Sequence, residues 1–142
     1  APRQYGLTQN HKHLKEMVKI SGLQNAPAFC PIVSDFYSGM EVTVPVFKSD
    51  LKNDFDIEKI KEIYKNKYNG PLVEFEDNLS EEGFISAGLL SGKDSMIISV
   101  FGNEDRIILT ARYDNLGKGA SGAAVECLNI VLGNDDTKGL EI

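Results

Sequence analysis

Both histidines of this 142-residue chain lie in one octapeptide, QNHKHLKE at residues 9–16, where His11 and His13 flank Lys12. Imidazole can carry a proton near neutral pH, ligate a metal or simply hydrogen-bond water. Metal ligation is the poorest fit. Zinc takes three or four protein ligands, and a helical pair shares a face at i, i+4 spacing. His11 and His13 stand at i, i+2, and the chain has no third histidine. General acid/base work, an anion held at a helix start, and a solvated turn all remain open. A helix N-terminus favours an uncharged imidazole, which is the form a general base needs.

The other stretch with chemical potential is DNLGKGASGAA, residues 114–124. Its small residues let backbone approach a ligand or a neighbouring helix closely, and the N–H groups of a new helix point forward. It is neither a GxxxxGK[ST] phosphate loop nor a GxGxxG fingerprint in a βαβ unit. Tight helix packing by Gly119, Ala120 and Gly122 explains the same residues without any ligand.

The elements that must position these residues are legible from periodicity. Leu14, Met17 and Val18 put an apolar stripe on a helix after the histidines, with Gly22 as its C-terminal stop. A short strand near residues 3–8 precedes it. Met40, Val42, Val44 and Val46 alternate with Glu41, Thr43, Pro45 and Phe47 in a strand, and Pro45 predicts an edge or a bulge. Asp56 caps an amphipathic helix carrying Ile57, Ile60, Ile63 and Tyr64. LVEFE is a short strand, DNLSEEG an acidic loop, and DSMIISVFG with DRIILTARYD a hairpin joined by GNED. A final helix spans residues 120–132, before a polar tail. This order predicts an α+β fold, a largely antiparallel mixed sheet with helices on one face.

Length suits one domain. A net charge of −6 disfavours a nucleic-acid surface. No apolar run approaches the ~20 residues of a membrane span, and no signal segment is legible. Cys30 and Cys127 show no CxxC spacing and read as small core residues, free thiols in a reducing cytoplasm. The opening APRQYGL lacks Met and reads like the interior of a longer protein.

Taken in order, YGLTQNHKHLKEM, FCPIV, SGMEVTVPV, ARYDNLGKGASGAAVE, LNIVLG and DTKGL resemble the C-terminal part of the N-acetyl-gamma-glutamyl-phosphate reductases, from Tyr5 to Leu140. The resemblance implies the C-terminal domain of glyceraldehyde-3-phosphate dehydrogenase-like enzymes. It divides the chain into a substrate and oligomerisation domain, 1–115, and a helix and tail, 116–142, that would pack on a dinucleotide domain. It further implies NADP as cofactor, a small acyl phosphate as substrate, and a homo-oligomer, a dimer or tetramer. His13 would be the catalytic acid/base, with His11 as alternative or support. Asn115 would meet the nicotinamide carboxamide, with Gly117, Lys118, Gly119 and Ala120 along the cofactor. Lys12 and Arg112 are the substrate-binding cations, because the His and Arg that many members carry are here Ile32 and Ser38. The family's nucleophilic thiol belongs to a Gly-Cys-Tyr-Pro-Thr type motif that neither Cys30 nor Cys127 matches, so the chain alone is expected to be inactive. An aspartate-semialdehyde-dehydrogenase-like enzyme and a non-catalytic ligand-binding or oligomerisation module are the rival readings.

Overall fold

The computed structural model describes residues 1–78 and 80–142, so Leu79, in the expected acidic loop, lies outside the described residues. Two compact units emerge, Ala1–Tyr37 and Ser38–Ile142.

In the first unit, helix α1 spans Lys12–Ser21 and buries Leu14. Met17 and Val18 are half-buried beside it, while Lys15, Glu16 and Lys19 face solvent, as the apolar spacing requires. The helix stops at Gly22, whose φ of 72° is left-handed and whose N–H donates to the Val18 carbonyl. Strands β1 (Arg3–Gln4) and β2 (Ile32–Val33) pair antiparallel. The strand expected near residues 3–8 is therefore only two residues long. Gly6, at φ 65°, turns the chain away, and the Gln9 N–H closes that turn on the Gly6 carbonyl at 2.9 Å.

The second unit is built on a four-stranded sheet in the order β3-β6-β5-β4: Met40–Phe47, Arg106–Tyr113, Met96–Gly102 and Val73–Phe75. β3, β6 and β5 run antiparallel, while β4 pairs parallel with β5. β3 is an edge strand, which accommodates Pro45. Helix α2 (Ile57–Lys67) starts at Asp56, whose Oδ1 accepts the Lys59 N–H at 2.8 Å. Its Ile60 joins Val100 and Ile107 in the core, ringed by Val46, Phe55, Tyr64, Phe75 and Leu109. Each such large aliphatic group stabilises the fold by about 1.5–3 kcal/mol relative to exposure. The opposite face is polar yet buried at Ser99, Thr110 and Arg112, and the Thr110 hydroxyl donates to the Ser99 carbonyl at 3.3 Å. The chain is thus α+β with a mixed, largely antiparallel sheet, as the sequence predicts.

Helix α3 (Gly122–Leu132) is entered through a π turn over Gly117–Ser121 rather than directly from residue 120. It is apolar almost all round and buries Gly122 and Asn129, while Leu128, Ile130, Val131 and Leu132 are exposed. The tail folds back inside this unit. Asn129 Nδ2 donates to the carbonyls of Asp136 and Lys138, and Asp94 exchanges hydrogen bonds with the backbone of Glu141. The cysteines correct an expectation: Cys30 and Cys127 are free, but both are exposed rather than core residues. Cys30 lies in the irregular segment before β2, and Cys127 lies on the uncovered side of α3.

Candidate functional site

The residues with chemical potential fall into two clusters, one in each unit. In the first unit His11 is the N-cap of α1, with extended backbone, and its Nδ1 accepts the His13 backbone N–H at 3.3 Å. The His11 and His13 rings meet edge to face with centroids 4.6 Å apart. Phe29 packs against both, at 5.2 Å from His11 and 6.1 Å from His13, and Tyr5 lies 5.9 Å from His11. Among the described residues no hydrogen bond engages the His13 ring. His11 also lines a shallow groove of about 420 Å³ with Asn10, Leu14, Lys15, Val18 and Ala26. Lys12, the first residue of α1, is exposed.

Sequence reasoning passed over what fixes this cluster. The Gln9 side-chain amide accepts the Phe29 N–H at 2.8 Å and donates to the Phe29 carbonyl at 2.7 Å and the Gly6 carbonyl at 3.2 Å. A side chain thereby does the work of a β-bridge. Phe29 lies 20 residues away, and no local pattern announces it.

The second cluster is organised by Asp114, at the end of β6. Its buried carboxylate accepts N–H bonds from Gly92 at 2.6 Å, Leu116 at 2.6 Å and Gly117 at 2.9 Å. These bonds, the Gly92 N–H foremost, hold its pKa down at about 2 against the opposing cost of burial. The π turn follows directly: Gly119 N–H reaches the Asp114 carbonyl at 2.8 Å, and Ser121 N–H reaches the Leu116 carbonyl at 3.0 Å. Such turns are frequent at functional sites. The Asp-Asn pair was readable as a side-chain-closed turn, since Asp bonds backbone two residues on.

Asn115 is half-buried, and its Oδ1 accepts the Gly39 N–H at 2.8 Å. With the oxygen committed, the NH₂ end is the free donor among the described residues. Gly117 and Gly122 are required by packing: a Cβ at Gly117 would come within 2.5 Å of the Lys93 carbonyl, and one at Gly122 would strike the Asp94 carboxylate. Gly119 is exposed, as are Ala120 and Ala124. Lys118 is nearly buried and pairs with Glu126 at 2.5 Å, so its charge is already matched. Arg112 is 2% exposed, with Nη1 3.8 Å from the Glu81 carboxylate, deep in the sheet rather than on a surface. Asn115, Gly117, Lys118 and Gly119 thus share one turn, while Lys12 and the histidines belong to the other unit.

Among the described residues no group of three or more His, Cys, Asp or Glu side chains converges to hold a metal ion. No helix there is long and apolar enough to cross a membrane.

A family model described as semialdehyde dehydrogenase, dimerisation domain, matches residues 1–115. N-acetyl-gamma-glutamyl-phosphate reductase 2 of Nostoc sp. is 42% identical over 144 residues, covering 96% of this chain and 45% of that protein. The N-acetyl-gamma-glutamyl-phosphate reductase of Trichormus variabilis matches at the same 42%. That of Brucella ovis is 40% identical over 134 residues, covering 91% of this chain and 43% of the relative. The chain therefore spans less than half the length of these curated relatives.

Proposed function

The chain belongs to the semialdehyde dehydrogenase dimerisation-domain family, and from that premise we propose that it is the C-terminal domain of an NADPH-dependent reductase converting N-acetyl-glutamyl 5-phosphate to N-acetyl-glutamate 5-semialdehyde in arginine biosynthesis. The observation that carries this reading is the likeness to such reductases, 42% identity over 96% of the chain.

In this reaction a thiol displaces phosphate from the acyl carbon to give a thioester, and hydride addition followed by departure of the thiolate leaves the aldehyde. The thiol comes from outside these residues, since neither Cys30 nor Cys127 stands in the expected motif, and this chain by itself turns nothing over. NADPH supplies the hydride when bound. Its binding suits the Asn115 turn: an amide whose oxygen is held by Gly39 offers NH₂ donors to a carboxamide carbonyl. Exposed Gly119 and Ala120 leave room for close approach. Lys118, paired with Glu126, is a poor candidate for cofactor charge.

His13 carries the proton. Its ring is free of hydrogen bonds among the described residues, and it stands in the first turn of α1. A positioned acid/base contributes about 10²- to 10⁴-fold in rate. Exposed Lys12 is the cation for substrate phosphate or carboxylate; buried Arg112 acts on the sheet instead. The apolar side of α3, with Leu128, Val131 and Leu132 exposed, packs against the dinucleotide domain. The exposed Met40, Val42 and Val44 on edge strand β3 favour self-association into a dimer. Free, exposed thiols suit a reducing cytoplasm.

The test uses the longer reading frame that contains these residues. With NADP and inorganic phosphate it should oxidise N-acetyl-glutamate 5-semialdehyde in the reverse assay. Preference for aspartate semialdehyde would replace this reading with the aspartate-semialdehyde-dehydrogenase-like one. Ligand binding or dimerisation with no turnover would favour the non-catalytic module.

A further inference from the structure

We infer that His11 is a positioning residue, locked by the helix it caps into a single tautomer, and that this lock leaves proton transfer to His13. The catalytic consequence rests on the reductase reading, while the lock itself rests on geometry alone.

The His13 backbone N–H points at His11 Nδ1 across 3.3 Å. That bond needs the Nδ1 lone pair, so the neutral ring carries its proton on Nε2. A second proton could reach Nδ1 only by expelling the helix N–H. The two histidines are therefore unequal although their rings touch: one serves the helix, and the ring of the other makes no hydrogen bond among the described residues.

What keeps the capping ring in place is a relay of contacts. Gln9 sits in the left-handed region at φ 54°, which turns its side chain onto the backbone of Phe29. Both polar atoms of Phe29 are taken by that one amide, so the Phe29 ring is fixed relative to the turn before α1. Phe29 in turn packs on His11 and His13, and the His11 ring presents itself edge to face to His13. Gln9 thus acts on the imidazoles through Phe29 without touching reacting atoms.

The test is a long-range ¹H–¹⁵N correlation spectrum of the ¹⁵N-labelled 142-residue chain at alkaline pH. His11 should show an unprotonated Nδ1 and a protonated Nε2, with at least a tenfold preference, and His13 a mixture of tautomers. His11→Asn, a good N-cap, should keep the α1 amide signals, whereas His11→Ala should lose them from the first turn. Gln9→Ala should shift both imidazoles and erode the His11 preference. If Gln9→Ala unfolds the first unit, judged by the amide signals of residues 1–37, Gln9→Glu replaces it: it keeps the acceptor for Phe29 N–H and loses both donors. A His11 protonated on Nδ1, or evenly mixed, overturns the inference. So does a Gln9 variant whose imidazole signals superpose on the unmodified chain. No substrate is present, so a failed reductase reading leaves these spectra unchanged, and failure of the lock leaves the reductase assay unchanged.

Discussion

The backbone N–H of Gly39 donates to Oδ1 of Asn115 across 2.8 Å, joining the start of β3 to the turn after β6. The bond decides which end of the amide is available. In the reductase proposed above, Asn115→Asp keeps that acceptor but loses the NH₂ donors, while Asn115→Ala loses both. One hydrogen bond is worth about 0.5–1.5 kcal/mol, so both variants should raise the KM for NADPH roughly 3- to 10-fold. Steady-state kinetics with varied NADPH checks this. An unchanged KM in both would remove Asn115 from the cofactor site.

Asp114 should make the chain acid-sensitive in a defined window. Its folded pKa is held down at about 2, below the ordinary carboxylate value of 3.8. Folding then favours the ionised form, and this contribution is fully present above pH ~4. It is lost as pH falls through the folded pKa, when the carboxyl must take a proton and release the Gly92 and Gly117 N–H groups. Asp114→Asn retains an acceptor for Leu116 and Gly117 and should cost about 1–2 kcal/mol at pH 7; Asp114→Ala, which strands buried donors, should cost about 3 kcal/mol. Urea unfolding between pH 2 and 7 reads both effects, and the difference between native chain and variants should shrink towards pH 2.

Two glycines should fail for different reasons when changed to alanine. Gly22 has open space around its Cβ position but a φ of 72°, so Gly22→Ala should cost about 1 kcal/mol through backbone strain. Gly122 has ordinary helical backbone but no room beside Asp94, so Gly122→Ala should cost about 1–3 kcal/mol through overpacking. Asp94→Ala, which removes the carboxylate but keeps a Cβ at 3.0 Å, should rescue the second substitution in part and leave the first unaffected. Thermal unfolding of the single and double variants tests the distinction.

These residues also mark where the sequence was legible. Gly22 and Asp56 act through neighbours within a turn, so a short window of residues contains the whole cause of each helix boundary. The hairpin of β5 and β6 is similarly local, and Pro45 announces an edge because it lacks one N–H. By contrast, the parallel pairing of β4 with β5 is made across the long segment between them, and nothing in LVEFE specifies its direction. The GKGASG stretch suits both close approach of a ligand and tight packing, and pattern alone does not name the packing partners. Gly117 and Gly122 lie against Lys93 and Asp94, more than twenty residues upstream. The histidine pair was visible as chemistry, but the Gln9–Phe29 clamp beside it depends on side-chain pairing across a loop. Arg112 enters beside Lys12 as a substrate cation through the family resemblance alone, and its burial on β6 was not legible because it depends on the register with β5.

Under the proposed reaction the two histidines of NHKH have different work, and turnover of paired variants tests that division. In the complete enzyme, His13→Asn should lower kcat about 10²- to 10⁴-fold with little change in the KM for NADPH. His11→Asn, which can still cap α1, should lower kcat far less. The reverse order, or near-normal kcat in both variants, would contradict the division of roles.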